Sequence, residues 1–272
     1  MPELPEVETI VSELNAALPG SAITGTRVFR DNALGGVPVA DFREALAGRV
    51  FERVRRRGKF LVFDFLEGGH MIGHLRMTGK FILSPPLTQP HAHHRVWFHL
   101  DNGRLLIFQD ARCFGTLAIV ERLADHAPLQ RLGMEPLSSG FTAKWVAAAL
   151  RQSKTPLKIW LMDQSRIAGL GNIYASEILF RASLSPMRPA HTVTGGEPAR
   201  LHRATRRTLR EAIHHNGTTI SDFRRVDDKT GGFQDFLRVY GKQGQPCPRC
   251  RAPIVKARQQ QRSTFFCPSC QR

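Results

Sequence analysis

An α+β fold is what these 272 residues predict: an antiparallel β domain of sandwich-like type opened by one helix, then a helical domain ending in a small cysteine-bearing β ribbon. Three observations carry this reading. From about Ala22 to Val120 the chain runs in short β-type segments separated by turn residues, and from Phe141 to Asn216 apolar residues recur at helical spacing. Four cysteines then close the sequence in two C-x2-C pairs. The expected boundaries are 1–133 for the β domain, 134–240 for the helical domain and 241–272 for the ribbon, with 134–140 as linker.

In chain order, Val7, Ile10, Val11, Leu14 and Leu18 form the stripe of an amphipathic helix over Leu4 to Leu18, with Pro5 in its first turn, where a missing N–H is harmless. The runs Lys59 to Phe65 and Arg95 to Leu100 are strand-like, and Asn102-Gly103 between two apolar runs signals a tight hairpin. Helices are expected over Phe141 to Gln152, Pro156 to Gln164 and Asn172 to Ala182. Ala199 to Asn216 is the clearest, with Leu201, Ala204, Thr208, Leu209, Ala212 and Ile213 on one face and Gly217 as its stop.

Hydrophobic residues at 42% and charged residues at 23% lie near the globular average, which excludes disorder and coiled coil. No apolar run approaches the roughly 20 residues a bilayer span needs, and the acidic opening lacks the basic n-region of a secretory signal, so a cytoplasmic protein is expected. Lys and Arg number 39 against 23 Asp and Glu, a formal charge of +16. A surplus of that size attracts polyanions and releases their counterions, which favours nucleic acid ahead of anionic lipid as partner.

Cys247, Cys250, Cys267 and Cys270 form C-x2-C-x16-C-x2-C, within the spacing window of four-thiolate zinc sites. Two disulfides or a redox pair are the alternative, which a reducing compartment disfavours. Four sulfurs leave no open coordination position, so one structural zinc is expected. Cys113 stands apart and reads as a buried free thiol. Gly169-Leu-Gly-Asn172 leads into a helix, and its N–H groups suit an anion nest.

At the N-terminus, Glu3 and Glu6 read in isolation as acids answering a helix dipole. Chemistry offers another reading. Removal of Met1 exposes Pro2 as a secondary amine, a group with an ordinary pKa near roughly 8. Condensed with a sugar aldehyde it becomes a cationic iminium, an electron sink for elimination. Glu3, adjacent, and Glu6, one turn further, would move protons around that centre.

The opening Met-Pro-Glu-Leu-Pro-Glu-Val-Glu8 resembles that of formamidopyrimidine-DNA glycosylases, bifunctional enzymes that excise oxidised purines, and the likeness runs the whole chain. Arg57-Gly-Lys59-Phe resembles the family's catalytic-lysine strand, His74-Leu-Arg-Met77-Thr-Gly its methionine segment and Asp110-Ala-Arg112-Cys-Phe114-Gly its arginine–phenylalanine loop. Gly169 to Glu177 resembles its helix-two-turn-helix, and the four cysteines its zinc finger. The resemblance implies Pro2 as nucleophile, Glu3 as proton donor or acceptor at the sugar, Glu6 as supporting carboxylate and Lys59 as a phosphate contact that aids base loss. Met77, Arg112 and Phe114 resemble the triad that fills the gap left by the flipped base. Lys154 would reach the damaged base, Asn172 and Arg262 would bind phosphate, and 218–240, ending at the DNA-contacting Tyr240, resembles a loop that closes over the base. It further implies double-stranded DNA as partner, one zinc and a monomer.

Two departures stand out: Cys113 replaces the family's usual second basic residue, and Arg95 occupies the place of a histidine DNA contact. Within the superfamily the alternative is the endonuclease VIII type, acting on oxidised pyrimidines, against which Leu4 and Arg112-Cys-Phe114 argue. A non-catalytic binder of nicked or abasic DNA would be expected to lack Pro2, Glu3 or Lys59, and all three are present.

Overall fold

The computed structural model describes residues 1–86, 89–220, 223–227 and 229–272. They divide into two compact units, Met1–Gln130 with His215–Gly232, and Arg131–His214 with Phe233–Arg272. No described helix is long and apolar enough to cross a membrane.

The first unit opens with helix α1 (Leu4–Asn15), shorter than its apolar stripe suggests. Leu18 is nonetheless fully buried, delivered to the core by a turn in which its N–H donates to Leu14 O. Strands β1 (Ile23–Val28), β2 (Phe51–Arg57), β3 (Phe60–Phe65), β4 (His70–His74), β5 (Gly79–Ser84), β6 (His94–Leu100), β7 (Leu105–Asp110) and β8 (Thr116–Val120) follow, with helix α2 (Val39–Leu46) after β1. They build two antiparallel four-stranded sheets, in order β1-β6-β7-β5 and β2-β3-β4-β8. The β6–β7 hairpin turns at Asn102-Gly103, where Gly103 takes φ 79°, a left-handed conformation costly for any residue with a Cβ. Alternation along the strands sends Phe63, Phe81 and Phe108 into one core with Val7, Ile10 and Leu14 of α1. The Phe63 and Phe81 rings meet from the two sheets at 5.2 Å. A short helix α3 (Ala127–Gln130) ends this stretch.

Residues 215–232 belong to this β unit, so the segment 134–240 expected in the helical domain is interrupted. Phe223 and Val226 enter the core, and Glu13 of α1 accepts the Val226 N–H at 2.8 Å and pairs with Arg225.

The second unit holds α4 (Ala143–Arg151), α5 (Leu157–Met162), α6 (Asn172–Ala182) and α7 (Glu197–His214), and the β9 (Val255–Gln259)–β10 (Arg262–Phe266) ribbon. The Thr142 hydroxyl caps α4 by accepting from the Trp145 N–H. Helix α7 buries Leu201, Ala204, Thr205, Thr208, Leu209 and Ala212 and stops at His214, two residues short of the expected end, because Asn216 already sits at φ 58° ahead of Gly217 at 74°. Between α5 and α6 the Gln164 amide organises two turns, donating to Met162 O and Leu170 O and accepting from the Gly169 N–H at 2.9 Å. That N–H is therefore not part of the anion nest expected at Gly169 to Asn172.

Candidate active site and nucleic-acid interface

In the first unit, Glu3 is the N-cap of α1 and forms a reciprocal capping box with Glu6. Glu6 is 2% exposed, and its two oxygens have different tasks. Oε2 accepts the Glu3 N–H at 2.7 Å, and Oε1 accepts the Thr218 N–H, also at 2.7 Å. One carboxylate thus ties the segment around Pro2, which is buried, to the backbone of Thr218. Gly217 approaches so closely that a Cβ there would lie 2.9 Å from Glu6 Cγ and Oε1. The 218–240 stretch expected to close over a base lies partly outside the described residues; within them, Thr219 Oγ1 accepts the Gly231 N–H and donates to Phe223 O.

Lys59 follows Gly58 in the β2–β3 turn and is 6% exposed, not a solvated charge. Arg56 holds that turn to α1, donating to Glu8 at 2.6 Å and to Gly58 O at 3.1 Å. On β4, burial pushes the His74 imidazole down to about 3, and the charges of Arg76 and Lys59 act in the same direction. His74 is therefore a neutral acceptor, and its Nδ1 takes the Arg76 N–H at 3.0 Å.

Two loops of this unit present Met77, Arg112 and Phe114, the residues expected to fill the gap left by a flipped base. Met77 is 37% and Phe114 55% exposed. The Arg112 guanidinium lies 4.9 Å from the Phe114 ring centre, a cation–π arrangement. Asp110, fully buried, joins the loops: Oδ1 accepts from the Thr78 hydroxyl and the Arg112 N–H, and Oδ2 from the Gly115 N–H at 2.7 Å. A Cβ on Gly79 would sit 2.4 Å from Leu75 O, so only glycine fits behind Thr78. Cys113, expected to be buried, is half-buried at φ 57° in the exposed loop.

Arg95 lies on β6. It is 4% exposed, and its guanidinium donates to Asp110 O at 2.6 Å, Ala92 O at 3.1 Å and His94 O at 3.4 Å. These bonds use Nε and Nη1 and brace the loop of Arg112 and Phe114 from inside.

In the second unit, Asn172 begins α6, with Nδ2 3.5 Å from the Tyr240 hydroxyl and a buried Oδ1 that has no partner among the described residues. Tyr240 is set by Glu177, whose buried carboxylate accepts the N–H groups of Arg238, Val239 and Tyr240 at 2.9–3.0 Å. Burial pushes that carboxyl up, and the three donors pull it part of the way back. The Tyr240 ring meets Phe265 of β10 edge-on at 5.2 Å. Arg262, exposed, follows the β9–β10 turn, in which Gln260 and Gln261 both take positive φ, 43° and 64°. Lys158, fully buried on α5, donates to Ser263 O at 2.7 Å and Thr264 Oγ1 at 2.8 Å and so holds the strand that carries Arg262. Lys154 is exposed in the turn between α4 and α5.

The sulfurs of Cys247, Cys250, Cys267 and Cys270 lie within 4.8 Å of one another. Cys247 and Cys270 are 3.9 Å apart, and Cys250 and Cys267 3.5 Å. A tetrahedron with Zn–S bonds of about 2.3 Å has sulfur edges of about 3.8 Å, so the set fits one structural zinc and is too open for disulfides. Burial raises the Cys247 thiol, yet the N–H groups of Cys250 and Arg249 and the side chains of Cys267 and Cys250 together bring it down to about 7. Burial and its neighbouring thiols push Cys270 up to about 12. Four sulfurs this close become thiolates together only around a cation.

Asp110, Glu177, Glu8 with Arg56, Glu13 and Lys158 were not picked out from the sequence. Each sits in or beside a motif that was, as in Asp110-Ala-Arg112, but single acids and lysines carry no local signal of the distant backbone groups they hold.

Three family models match consecutive stretches: the formamidopyrimidine-DNA glycosylase N-terminal domain over residues 1–117, the H2TH domain of the same enzymes over 132–224 and a zinc finger found in FPG and IleRS over 244–272. The formamidopyrimidine-DNA glycosylase of Pelotomaculum thermopropionicum is 42% identical over 100% of this chain and 99% of its own length. That of Laribacter hongkongensis is 43% identical over all of both chains. Among solved structures, the MutM (Fpg) protein of Thermus thermophilus superposes with a TM-score of 0.89 at 41% identity, covering 99% of this chain and 98% of its own. Lactococcus lactis Fpg in complex with abasic-site DNA gives 0.92 at 32% identity, covering 99% of both. With matching domains in the same order and relatives alike from end to end, the chain belongs to the formamidopyrimidine-DNA glycosylase family, DNA glycosylases of base excision repair.

Proposed function

We propose that this enzyme removes oxidised purines, 8-oxoguanine and formamidopyrimidines, from duplex DNA through a Schiff base on Pro2 and then cleaves the strand by β and δ elimination. The observation that carries the reading is the buried Glu3–Glu6 capping box, which fixes two carboxyl groups and the backbone beside Pro2 in one place. With Met1 removed, the Pro2 nitrogen attacks the anomeric carbon, the base departs with a proton, and the opened sugar is held as an iminium. Loss of a C2′ proton expels the 3′ phosphate, and a second elimination expels the 5′ phosphate. Glu3 is the proton carrier at the sugar. Glu6 has both oxygens on backbone N–H groups and acts by holding Glu3 and Thr218. Lys59 meets the phosphate beside the lesion.

DNA binding draws on both units. Met77, Phe114 and Arg112 fill the space of the flipped base, apolar wedges with one donor fork. Asn172 and Arg262 grip phosphate, and Tyr240 contacts DNA beside them; a half-turn of the Asn172 amide lets Oδ1 accept the Tyr240 hydroxyl and leaves two N–H donors for the backbone. Lys154 reaches the damaged base. The cysteine zinc adds folding free energy to the ribbon that bears Arg262. The enzyme acts as a monomer in the bacterial cytosol, at the nucleoid.

Borohydride trapping on an 8-oxoguanine duplex tests this chemistry. A covalent complex mapping to Pro2 is the expected product. A cross-link at Lys59, or none with enzyme that still excises the base, rejects the nucleophile.

A further inference from the structure

Helix α7 carries a basic face that the excision chemistry does not use. Arg203, Arg206, Arg207, Arg210 and His214 recur at i, i+3, i+4, i+7 and i+11, opposite the buried Leu201, Thr205 and Leu209. At 1.5 Å per residue this stripe runs about 16 Å. The arginines, with His202 and Glu211, line a groove of about 400 Å³. Some of its charge is engaged: Arg207 pairs with Glu211 at 2.7 Å, Glu211 also meets Arg181 at 2.5 Å, and Arg206 donates to Ser138 O at 2.8 Å. Among the described residues Arg203 and Arg210 make no hydrogen bond or ion pair, and both are exposed. Like charges at helical neighbour spacing destabilise a helix, a cost that a bound polyanion removes.

The groove is attached at the far end of α6 from Asn172. Arg181, which shares Glu211, lies nine residues along that helix, about 14 Å from the phosphate-gripping end. Its lining holds four guanidinium forks, an imidazole and one carboxylate, with no apolar side chain. Protein partners dock around an apolar or aromatic centre, which is missing here. Phosphodiester backbones are gripped by planar, bidentate guanidinium groups.

We propose that the α7 groove is a second nucleic-acid site, holding the phosphate backbone of a DNA segment other than the one at the lesion site. Such a site lets the enzyme hold one duplex while engaging the next, which suits a search through crowded DNA.

The test saturates the full-length, zinc-loaded enzyme with a short abasic-analogue duplex carrying one fluorophore, then titrates in an unmodified duplex of about 20 base pairs carrying another. Wild type is expected to bind the second duplex without releasing the first. The double variant Arg203→Gln/Arg210→Gln should bind it about tenfold or more weakly, with a salt slope smaller by about 2, one unit per lost phosphate contact. Its single-turnover excision on a short lesion duplex should be unchanged. Arg207→Gln, equally exposed but already paired with Glu211, should change little and controls for loss of bulk charge. The proposal is overturned if no second duplex binds the saturated wild type, if the double variant binds it equally well, or if poly-glutamate occupies the groove in an Arg203- and Arg210-dependent way and the duplex does not. Because the first fluorophore reports the lesion site separately, failure there is distinguished from failure at α7.

Discussion

Replacing Glu6 by Gln is isosteric, yet it should release the backbone at Thr218. The carboxylate serves two backbone N–H groups, Glu3 and Thr218, each at 2.7 Å and in surroundings closed to water. A glutamine has one oxygen. If it serves Glu3, inside the capping box, its NH2 faces the Thr218 N–H and that bond is lost. A hydrogen bond to a charged group contributes about 1.5–3 kcal/mol, and an orphaned buried N–H costs about 1–3 kcal/mol more unless it reaches water. The backbone there can take that exit, so the change appears as an opening free energy lower by about 1.5–3 kcal/mol, or opening roughly ten- to a hundredfold more frequent. Amide hydrogen exchange reads this directly: protection at Thr218 should fall by that factor while the β-sheet core of the same unit keeps its own. Single-turnover excision should fall alongside. If Thr218 exchanges at the wild-type rate in a folded Glu6→Gln enzyme, the carboxylate is not the fastening and the reasoning fails.

The remaining predictions concern the other sites. Cys250→Ser should lose zinc and DNA affinity together while the β unit stays folded; zinc-free protein with full activity on metal analysis would contradict it. His74 has a folded pKa of about 3 against an ordinary 6.5, so the unfolded state binds the extra proton and stability falls as pH drops below 6.5. Its share is about 2 kcal/mol between pH 7 and pH 5, and His74→Asn, which keeps an acceptor for Arg76, should flatten that slope in denaturant titrations; an unaltered slope counts against it. Arg112→Ala should narrow the preference for cytosine over adenine opposite the lesion, because cytosine offers adjacent acceptors to a guanidinium and adenine pairs one acceptor with a donor, a difference of about 1–3 kcal/mol. Equal slowing opposite both bases would assign Arg112 to phosphate alone.

Much of this protein is written locally. The Asn102-Gly103 hairpin, the α1 stripe behind Glu3 and Glu6, the apolar face of α7 and the paired C-x2-C turns each depend on residues within a few positions of one another, where periodicity and turn chemistry act. The cysteine spacing even carries the geometry of its ion, since each turn brings two sulfurs into reach of one tetrahedral centre. Residues whose roles depend on distant partners are another matter. The hold of Arg95 on the Asp110 backbone is not legible until β6 and β7 pair and bring Asp110 O onto its Nε. Glu177 reads as an ordinary helix acid until the chain returns 61 residues later with three N–H groups to satisfy. The 215–232 segment follows a helix of one unit and packs with the other because α1, two hundred residues earlier, supplies Glu6 and Glu13 as its acceptors. Composition and spacing determine which groups a chain has to satisfy. Only the tertiary fold decides which distant backbone groups a buried charge meets, because that pairing is set by the cost of leaving either partner unsatisfied away from water.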